Sequence, residues 1–188
     1  QLIMTGCDLV SSYNPLTGKK FWEIKGATTE CVTTTVTDGI HVYSSGGYPK
    51  NHVSAIRADG SGKVVWRNKV RVYVPSMIVH QGHLYAIADA GVLYCWKSDT
   101  GEEKWKGRLG GTFSASLALA DGKLYAANEA GDCFVAEASA KAFKLLAKNK
   151  LGDEIFASPV ICGQRLFLRT AHRSGSERQE FLYCIGKK

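Results

Sequence analysis

Residues with the types and spacing needed for metal or phosphate chemistry are few in this sequence. His80 and His83 flank a predicted two-residue turn and could approach one metal ion together, but a stable site needs a third ligand, which no neighbouring residue offers. Residues 60–63 (GSGK) are similar to the end of a phosphate-binding loop, although Arg57 occupies the place of that loop's first glycine. We interpret the histidine pair as hairpin surface and the second segment as a turn.

The six cysteines do not form a metal-binding pattern. No two of them have the C-x-x-C spacing of zinc sites. Four lie in predicted strands beside apolar neighbours, which favours small buried hydrophobic side chains. The sequence is compatible with one or two disulfides, because residues that are neighbours in a sheet can be distant in sequence. No Gly-x-Ser-x-Gly or His-Glu-x-x-His segment occurs, so the sequence carries no hydrolase or protease signature.

A segment that recurs along the chain indicates which turns and strands would position a functional site. Residues 95–105 read CWKSDTGEEKW and residues 12–22 read SYNPLTGKKFW, so Thr, Gly and Trp occupy equal places in both. A looser copy ends in Ser61, Gly62 and Trp66. In Thr-Gly-x-x-x-Trp, the glycine allows the positive φ of a tight turn. The Trp follows on a strand, where its ring can pack against a neighbouring sheet.

The period of the repeat predicts the fold. Marker glycines stand at positions 39, 82, 122 and 163, which are 43, 40 and 41 residues apart, and an apolar and aromatic strand follows each. Four strands in about 40 residues is the length of a propeller blade. We therefore predict an all-β fold, a β-propeller of four-stranded antiparallel blades, with Trp22, Trp66 and Trp105 at blade interfaces. We assign residues 1–188 to a single domain with about four to five blades in a partial ring. The predicted blades are 1–28 (partial), 29–73, 74–113, 114–156 and 157–188 (partial).

One segment has the local composition of a helix. Residues 138–150 (ASAKAFKLLAKNK) are rich in Ala, Lys and Leu, which favour helix on propensity alone. The repeat instead places this segment on a fourth strand, with Phe143, Leu145 and Ala147 alternating toward one face. Because pairing in a sheet overrides a weak local preference, we predict a strand.

Composition restricts the classes of partner. The chain has 188 residues, of which 45% are hydrophobic and 22% charged, and it has no apolar run long enough for a membrane-spanning helix. Its net charge of +7 favours an acidic partner, but its basic residues are scattered, so we expect no nucleic acid partner. Because residues 1–4 (QLIM) resemble a strand and not a leader, we expect a preceding part of a longer protein to carry any targeting signal.

The units resemble the quinoprotein-type, or PQQ-like, β-propeller repeats, in their BamB-like and non-catalytic bacterial form. The Thr-Gly-x-x-x-Trp segments are similar to the tryptophan-docking motif of that family. The turns Asp38-Gly39 and Asp121-Gly122 and the pair Ser158-Pro159 extend the resemblance over essentially the whole chain. The family's usual Ala and Asp at the first and third motif positions are replaced here by Cys95 and Lys97 in one copy and by Ser12 and Asn14 in the other.

The resemblance implies two classes of function. The family contains calcium- and quinone-dependent dehydrogenases as well as scaffold proteins that bind no cofactor. A quinone site needs carboxylates that hold a metal, a cation above the quinone and an aromatic platform. In this chain Glu102-Glu103 and Asp153-Glu154 lie in predicted turns or loops, and no adjacent Cys pair occurs. We favour a non-catalytic binding module without PQQ or calcium, acting in the periplasm or elsewhere outside the cytoplasm. The alternative is a fragment of a PQQ-dependent dehydrogenase whose active-site blades lie outside this chain.

Loops on one face of a propeller are the predicted binding surface, since loops on a rigid scaffold are where function concentrates. The loops between second and third strands and the connections between blades emerge on the same face. Two of the former, Ser44–Asn51 and Thr170–Glu180, are longer than the repeat needs. Tyr combined with Arg is typical of interface hot spots, and the charge favours an acidic protein, peptide or surface polymer. Association through open blade edges is a second predicted contact. The candidate partner-binding residues are Tyr48, Lys50, Arg67, Arg71, Tyr73, Arg108, His172 and Arg173, with Lys69 in the same connection.

Overall fold

The computed structural model describes residues 1–186. Within this range the chain forms eighteen β-strands in five antiparallel sheets and no helix, which confirms the predicted all-β fold. Accordingly, none of the described residues belongs to a helix that could span a membrane.

Every sheet follows the order of the chain, with each strand paired to the next. The first sheet contains β1 (Leu2–Gly6), β2 (Leu9–Tyr13) and β3 (Lys20–Lys25). The second contains β4 (Val36–Thr37), β5 (His41–Gly46), β6 (His52–Arg57) and β7 (Val64–Asn68). The third contains β8 (Ile78–His80), β9 (His83–Ile87), β10 (Val92–Lys97) and β11 (Glu103–Arg108). The fourth contains β12 (Ala118–Ala120), β13 (Lys123–Ala127), β14 (Asp132–Glu137) and β15 (Leu145–Lys150). The fifth contains β16 (Val160–Cys162), β17 (Arg165–Ser174) and β18 (Glu177–Ile185).

The repeated turn has the same geometry in different sheets. Gly18 and Gly101 have φ values of 71° and 73°, in the left-handed region that glycine enters at little cost. Next to the turn, the pairing of the two strands shifts in register, directly after Ser12 in the β2–β3 pair and directly after Cys95 in the β10–β11 pair. Directly before the shift, Ser12 pairs with Trp22 and Cys95 pairs with Trp105. A small residue therefore lies opposite each Trp, which explains how Cys and Ser can replace the family's usual Ala.

The core lies between neighbouring sheets. One cluster joins the second sheet to the third through Tyr43, Val53, Leu84 and Trp96, among others, and another joins the third to the fourth. Each sheet thus buries its apolar residues only against its neighbours, as in other repeat architectures.

The predicted positions of Trp66 and Trp105 at blade interfaces are confirmed. Trp66 Nε1 donates to Ser98 O of the next sheet over 2.8 Å, and Trp105 Nε1 donates to Ser139 O over 2.7 Å. Trp22 lies beside Gly62 of the second sheet, where an added Cβ would be 3.6 Å from Trp22 Cε3.

A second periodic contact, which we call the serine chain, runs along the starts of the first strands of successive sheets. Thr34 N donates to Ser76 Oγ over 3.0 Å, Ser76 N to Ser116 Oγ over 2.9 Å, and Ser116 N to Ser158 Oγ over 2.9 Å. Each donor or acceptor stands two residues before the first strand of a four-stranded sheet or of the fifth sheet. Four consecutive sheets are therefore linked by the same polar junction.

Three predictions need correction. In residues 138–150 the strand is confirmed from Leu145 onward, but Phe143 precedes it and packs on Trp105 with ring centroids 5.7 Å apart. The predicted loops are shorter: Thr170–Glu180 is not a loop, because β17 and β18 pair as far as Ser174 and Glu177, and the loop predicted at Ser44–Asn51 covers only residues 47–51, because β5 extends to Gly46. The cysteines are all free, and only Cys95 is fully buried, whereas Cys7, Cys162 and Cys184 are exposed.

The Asp38-Gly39 turn contains a carboxylate that stabilises the fold in a pH-dependent way. Asp38 accepts hydrogen bonds from Tyr43 Oη over 2.6 Å and from His41 N over 2.7 Å. Burial alone would raise the pKa of Asp38, but these hydrogen bonds outweigh it and lower the pKa to about 2. Stability from this group is present above the pKa of an unfolded Asp, about 3.9. It is lost as the pH falls from there toward 2.

We expect Asp38→Asn to lower the free energy of unfolding by roughly 1 to 2 kcal/mol at neutral pH, and by much less near pH 2.5. Urea unfolding followed by far-UV circular dichroism at several pH values measures the difference. Asp121→Asn is the control, since Asp121 also precedes the glycine of the turn between a first and a second strand, with a side chain that is 90% exposed. An Asp38→Asn effect that does not change with pH would contradict this assignment.

Candidate binding site on the loop face

The loop face consists of the turns between second and third strands and the connections between sheets. Hydrogen bonds join these segments across sheet boundaries: Asp8 N donates to Thr28 O over 3.1 Å, and Glu129 N donates to Thr112 O over 2.9 Å. We define the loop face as residues 7–8, 26–35, 47–51, 69–77, 88–91, 109–117, 128–131, 151–159 and 175–176.

Two predicted binding residues, Arg71 and Tyr73, are held by carboxylates. The Arg71 guanidinium lies 5.1 Å from the centre of the Tyr73 ring, and its Nε is 3.9 Å from Asp89 Oδ2. Tyr73 N donates to the same Asp89 oxygen over 2.9 Å, and Tyr73 Oη donates to Glu30. These contacts fix the connection between the second and third sheets and offset the charge of Arg71.

The predicted pair His172 and Arg173 lies on β17 and not in a loop. Arg173 contacts Glu154, which also accepts from Arg178 Nε over 2.8 Å. The guanidinium of Arg178, followed by that of Arg173, lowers the pKa of Glu154. His172 Nε2 is 2.9 Å from Tyr183 Oη. This end of the fifth sheet is therefore a network of internally paired groups.

Two further predicted cations, Lys50 and Arg67, line one cavity of about 450 Å³, which we call the basic cavity. Arg67 Nη2 donates to Gly26 O over 3.2 Å, and no described carboxylate lies within ion-pair distance of Lys50, Arg67 or Lys69. No Asp or Glu lines the cavity. Its lining residues are Ala27, Thr28, Lys50, Asn51, His52, Arg67, Asn68 and Lys69.

Strand pairing builds the basic cavity. Val53 pairs with Asn68 and Ser54 pairs with Arg67, so the start of β6 and the end of β7 present His52, Arg67 and Asn68 at the same edge. Gly46, opposite His52, leaves room for the preceding connection: an added Cβ would lie 2.3 Å from Thr28 Oγ1 and 2.9 Å from His52 Cε1. A glycine is therefore required at position 46, because the Thr28 and His52 side chains approach its backbone closely.

Two residues of the lining each have a buried polar atom without a hydrogen-bond partner, His52 Nδ1 and Asn68 Nδ2, and these atoms have essentially no accessible surface. His52 is only 4% exposed, and its other ring nitrogen, Nε2, is 3.3 Å from Ser44 Oγ. Burial first, and then the charge of Arg67, lower the pKa of His52 to about 4, so that the ring is neutral at pH 7.

The structure therefore divides the predicted residues. Lys50, Arg67 and Lys69 come together, while Tyr48 and Arg108 are exposed and do not line the basic cavity. His52 and Asn68 were not predicted. Their signal was positional, since His52 opens β6 and Asn68 closes β7, and antiparallel pairing brings such residues together.

A family model described as outer membrane protein assembly factor BamB matches residues 49–143. The chain belongs to this BamB-like family of PQQ-like β-propeller proteins. No curated protein matches the sequence significantly.

Solved structures show the same fold at low sequence identity. BamB from Moraxella catarrhalis is 15% identical, with a TM-score of 0.70 over 88% of this chain and 51% of that chain. The computationally designed Ika4 protein is 12% identical, with a TM-score of 0.65 over 87% of this chain and 96% of that chain. A quinohemoprotein alcohol dehydrogenase, ADHIIG from Pseudomonas putida HK5, is 15% identical, with a TM-score of 0.63 over 74% of this chain and 28% of that chain. The BamB-like chain spans about half the length of the Moraxella protein.

Three of the carboxylates considered for the metal of a quinone site, Glu102, Glu103 and Glu154, are engaged in ion pairs. Glu102 and Glu103 form surface ion pairs with Lys104 and Lys106, and Glu154 is held by two arginines. Over residues 1–186, no group of three or more His, Cys, Asp or Glu side chains could hold a metal ion. The pair His80 and His83 lies directly opposite in the β8–β9 hairpin.

Association through open blade edges stays a prediction. Large apolar side chains are exposed on the first and fifth sheets, at Leu2, Met4 and Leu182. These two sheets have three strands each, in contrast to the four of the sheets between them.

Proposed function

We propose that this protein is a non-catalytic binding module that works without a cofactor and uses its loop face to hold an acidic segment of a partner protein. The basic cavity carries the proposal: three cations, Lys50, Arg67 and Lys69, surround it with no acidic residue in the lining. A family named for outer membrane protein assembly supports a protein partner and a location outside the cytoplasm.

The distribution of charge favours this part of the loop face. Asp89 lies beside Arg71, and Glu154 holds Arg173 and Arg178. Because those carboxylates would repel an acidic segment, attraction is strongest where cations stand without them. Complementary charge speeds encounter and selects the partner more than it adds affinity, so binding should weaken with salt.

We expect the chain to bind a fluorescent oligoglutamate peptide, and Arg67→Glu with Lys69→Glu to weaken binding at least about tenfold, or about 1.4 kcal/mol. Fluorescence anisotropy at low and physiological salt measures the affinity. Lys19→Glu with Lys63→Glu is the matched control, because it changes the net charge equally in exposed turns at the opposite ends of the strands.

An equal loss in both double variants would mean that only net charge matters and would contradict the assigned face. An oligolysine peptide that binds as well as oligoglutamate would contradict an acidic partner. Binding of an acidic polysaccharide in place of the peptide would indicate a surface polymer.

The fold likeness to a quinohemoprotein alcohol dehydrogenase favours one second candidate, a part of a quinone-dependent dehydrogenase. Quinone- and calcium-dependent reduction of a dye by the protein would support that candidate over the binding module. The ion-paired state of Glu102, Glu103 and Glu154 is the observation that sets it second.

A further inference from the structure

We propose that a cavity between the fourth and fifth sheets, which we call the apolar slot, is a binding site for one planar aromatic group of the size of indole. The slot has a volume of about 460 Å³ and is lined, among others, by Tyr125, Val135, Leu166 and Ile185. This inference goes beyond the proposed function, because the slot and the basic cavity share no lining residue.

The pairing of the strands shows which side chain the fourth sheet lacks. In each of the first three sheets, the residue directly before the shift in register pairs with a Trp: Trp22, Trp66 or Trp105. In the fourth sheet the shift follows Val135, which pairs with Ala147. Ala147 therefore has the place of a Trp. None of the six residues of its strand, β15, is aromatic.

The interface between the third and fourth sheets shows where such a ring lies. Trp105 packs on Tyr85 of its own sheet, with ring centroids 6.1 Å apart. It shares a buried cluster with Leu124 and Ala136 of the next sheet, which pair with each other. The Trp thus belongs with a Tyr on one sheet and with a Leu–Ala pair on the next.

The equivalents of these three residues line the apolar slot. In the fourth sheet, Tyr125 has the strand position that Tyr85 has in the third, since each pairs with the residue directly before the shift. In the fifth sheet, Leu166 and Ile185 pair as the Leu–Ala pair does in the fourth. Tyr125, Leu166 and Ile185 all line the slot. The slot therefore lies where the register places the missing ring.

The residues around the slot are less buried than their equivalents at the filled interface. Tyr85 and Leu124 are 2% and 1% exposed, whereas Tyr125 and Leu166 are only partly buried. Among the described residues, the cluster that joins the fourth and fifth sheets has three fully buried members, Ala127, Ile155 and Leu168. Apolar surface thus stays accessible between these sheets, and its burial by a ligand would favour binding.

The contacts at the filled interfaces set the class of ligand. Tyr43 and Trp66 pack in the same tilted way as the pair in the third sheet, with ring centroids 6.2 Å apart. Aromatic pairs gain stabilisation beyond the area that they bury. Tyr125 consequently favours a planar aromatic ring over an aliphatic group of the same size.

The volume of the slot is compatible with this ligand. It lies within the range of ligand cavities, roughly 300 to 1,000 Å³, and it leaves room for substituents on the ring. A free aromatic compound and the Trp side chain of a partner share this chemistry, and the experiment separates the two sources.

The test follows methyl resonances by NMR while the 188-residue chain is titrated with indole. We expect saturable shifts at Leu166 and Ile185, because an aromatic ring moves the resonances of the atoms that it covers. Leu84 is the internal control. It has the strand position of Leu166 but lies at the interface that Trp66 fills, so its methyl groups should not shift.

Ile185→Glu should weaken indole binding at least about tenfold, because it places a charge beside the apolar ring. The fold should tolerate this change, since Ile185 is 45% exposed. Leu182→Glu is the matched control on the same strand, at an exposed position on the opposite face, and should leave binding unchanged. Ala147→Trp should fill the slot and abolish indole binding.

Shifts that are linear in indole, or equal at Leu166 and Leu84, would overturn the inference. Cyclohexanol that binds as tightly as indole would also overturn it, because an aliphatic ring would then serve equally well. The same holds if indole binding survives Ile185→Glu. A Gly-Trp-Gly peptide that reproduces the indole shifts would assign the ring to a side chain of a partner, whereas binding of indole alone would assign it to a free compound.

Discussion

Replacing Trp105 with alanine is expected to lower the free energy of unfolding by about 3 to 5 kcal/mol, the usual cost of removing a buried large aromatic side chain. Trp105 is 8% exposed and packs between Tyr85 and Phe143, with ring centroids 6.1 Å and 5.7 Å away. Its Nε1 also donates to Ser139 O. The substitution would therefore remove one of the contacts that join the third sheet to the fourth.

Urea unfolding followed by far-UV circular dichroism is the measurement, since a loss of this size shifts the midpoint by about 1 M or more at a slope of about 1 to 3 kcal/mol per M. Trp105→Phe keeps much of the ring packing but loses the hydrogen bond, so it should cost less than the alanine variant. Leu16→Ala, at a site that is 93% exposed, is the surface control. A Trp105→Ala loss below about 0.5 kcal/mol, the range of surface changes, would show that this interface does not hold the sheets together.

The second large effect is expected at Gly101. Gly18 and Gly101 occupy the same place in the repeated turn and have φ values of 71° and 73°. An added Cβ at Gly101 would lie 2.6 Å from Trp66 Cδ2, whereas nothing lies within 4 Å of one at Gly18. Gly18→Ala should cost only the backbone strain, about 1 to 2 kcal/mol.

Gly101→Ala should cost this strain and a further 1 to 3 kcal/mol, roughly, for displacing the Trp66 ring. The difference between the two variants, measured by the same unfolding experiment, isolates the contact between sheets from the strain of the turn. Combining Gly101→Ala with Trp66→Ala should cost less than the sum of the separate effects, since the ring is then already absent. Equal losses at Gly18 and Gly101 would be incompatible with a ring that packs on the turn.

The sequence predicted those features that depend on neighbours along the chain. Thr-Gly turns and strands in a 40-residue period identified the sheets, and Trp66 and Trp105 were placed at the interfaces. Phe143 was misplaced because its environment is set by Trp105, which belongs to another sheet. The segment Thr170–Glu180 was misread because polar residues along an extended hairpin look like a loop when their pairing is unknown.

The binding residues were predicted less completely for the same reason. Arg71 and Arg173 have the composition of an interface, but Asp89 and Glu154, which neutralise them, are close only in space. The loop argument placed Lys50 and Arg67 on one surface, and both line the basic cavity. His52 carries no sequence signal of its own, because its burial and its unpartnered nitrogen depend on how β6 meets the connection before β4.

The serine chain bears on how such a molecule can change over evolution. Every junction from Thr34 to Ser158 uses one backbone N–H and one hydroxyl, so no junction is chemically unique. Duplication or deletion of one whole unit would recreate the same junction at the new seam, whereas a change of half a unit would leave a donor without its acceptor. Selection can thus alter the number of units in steps of one.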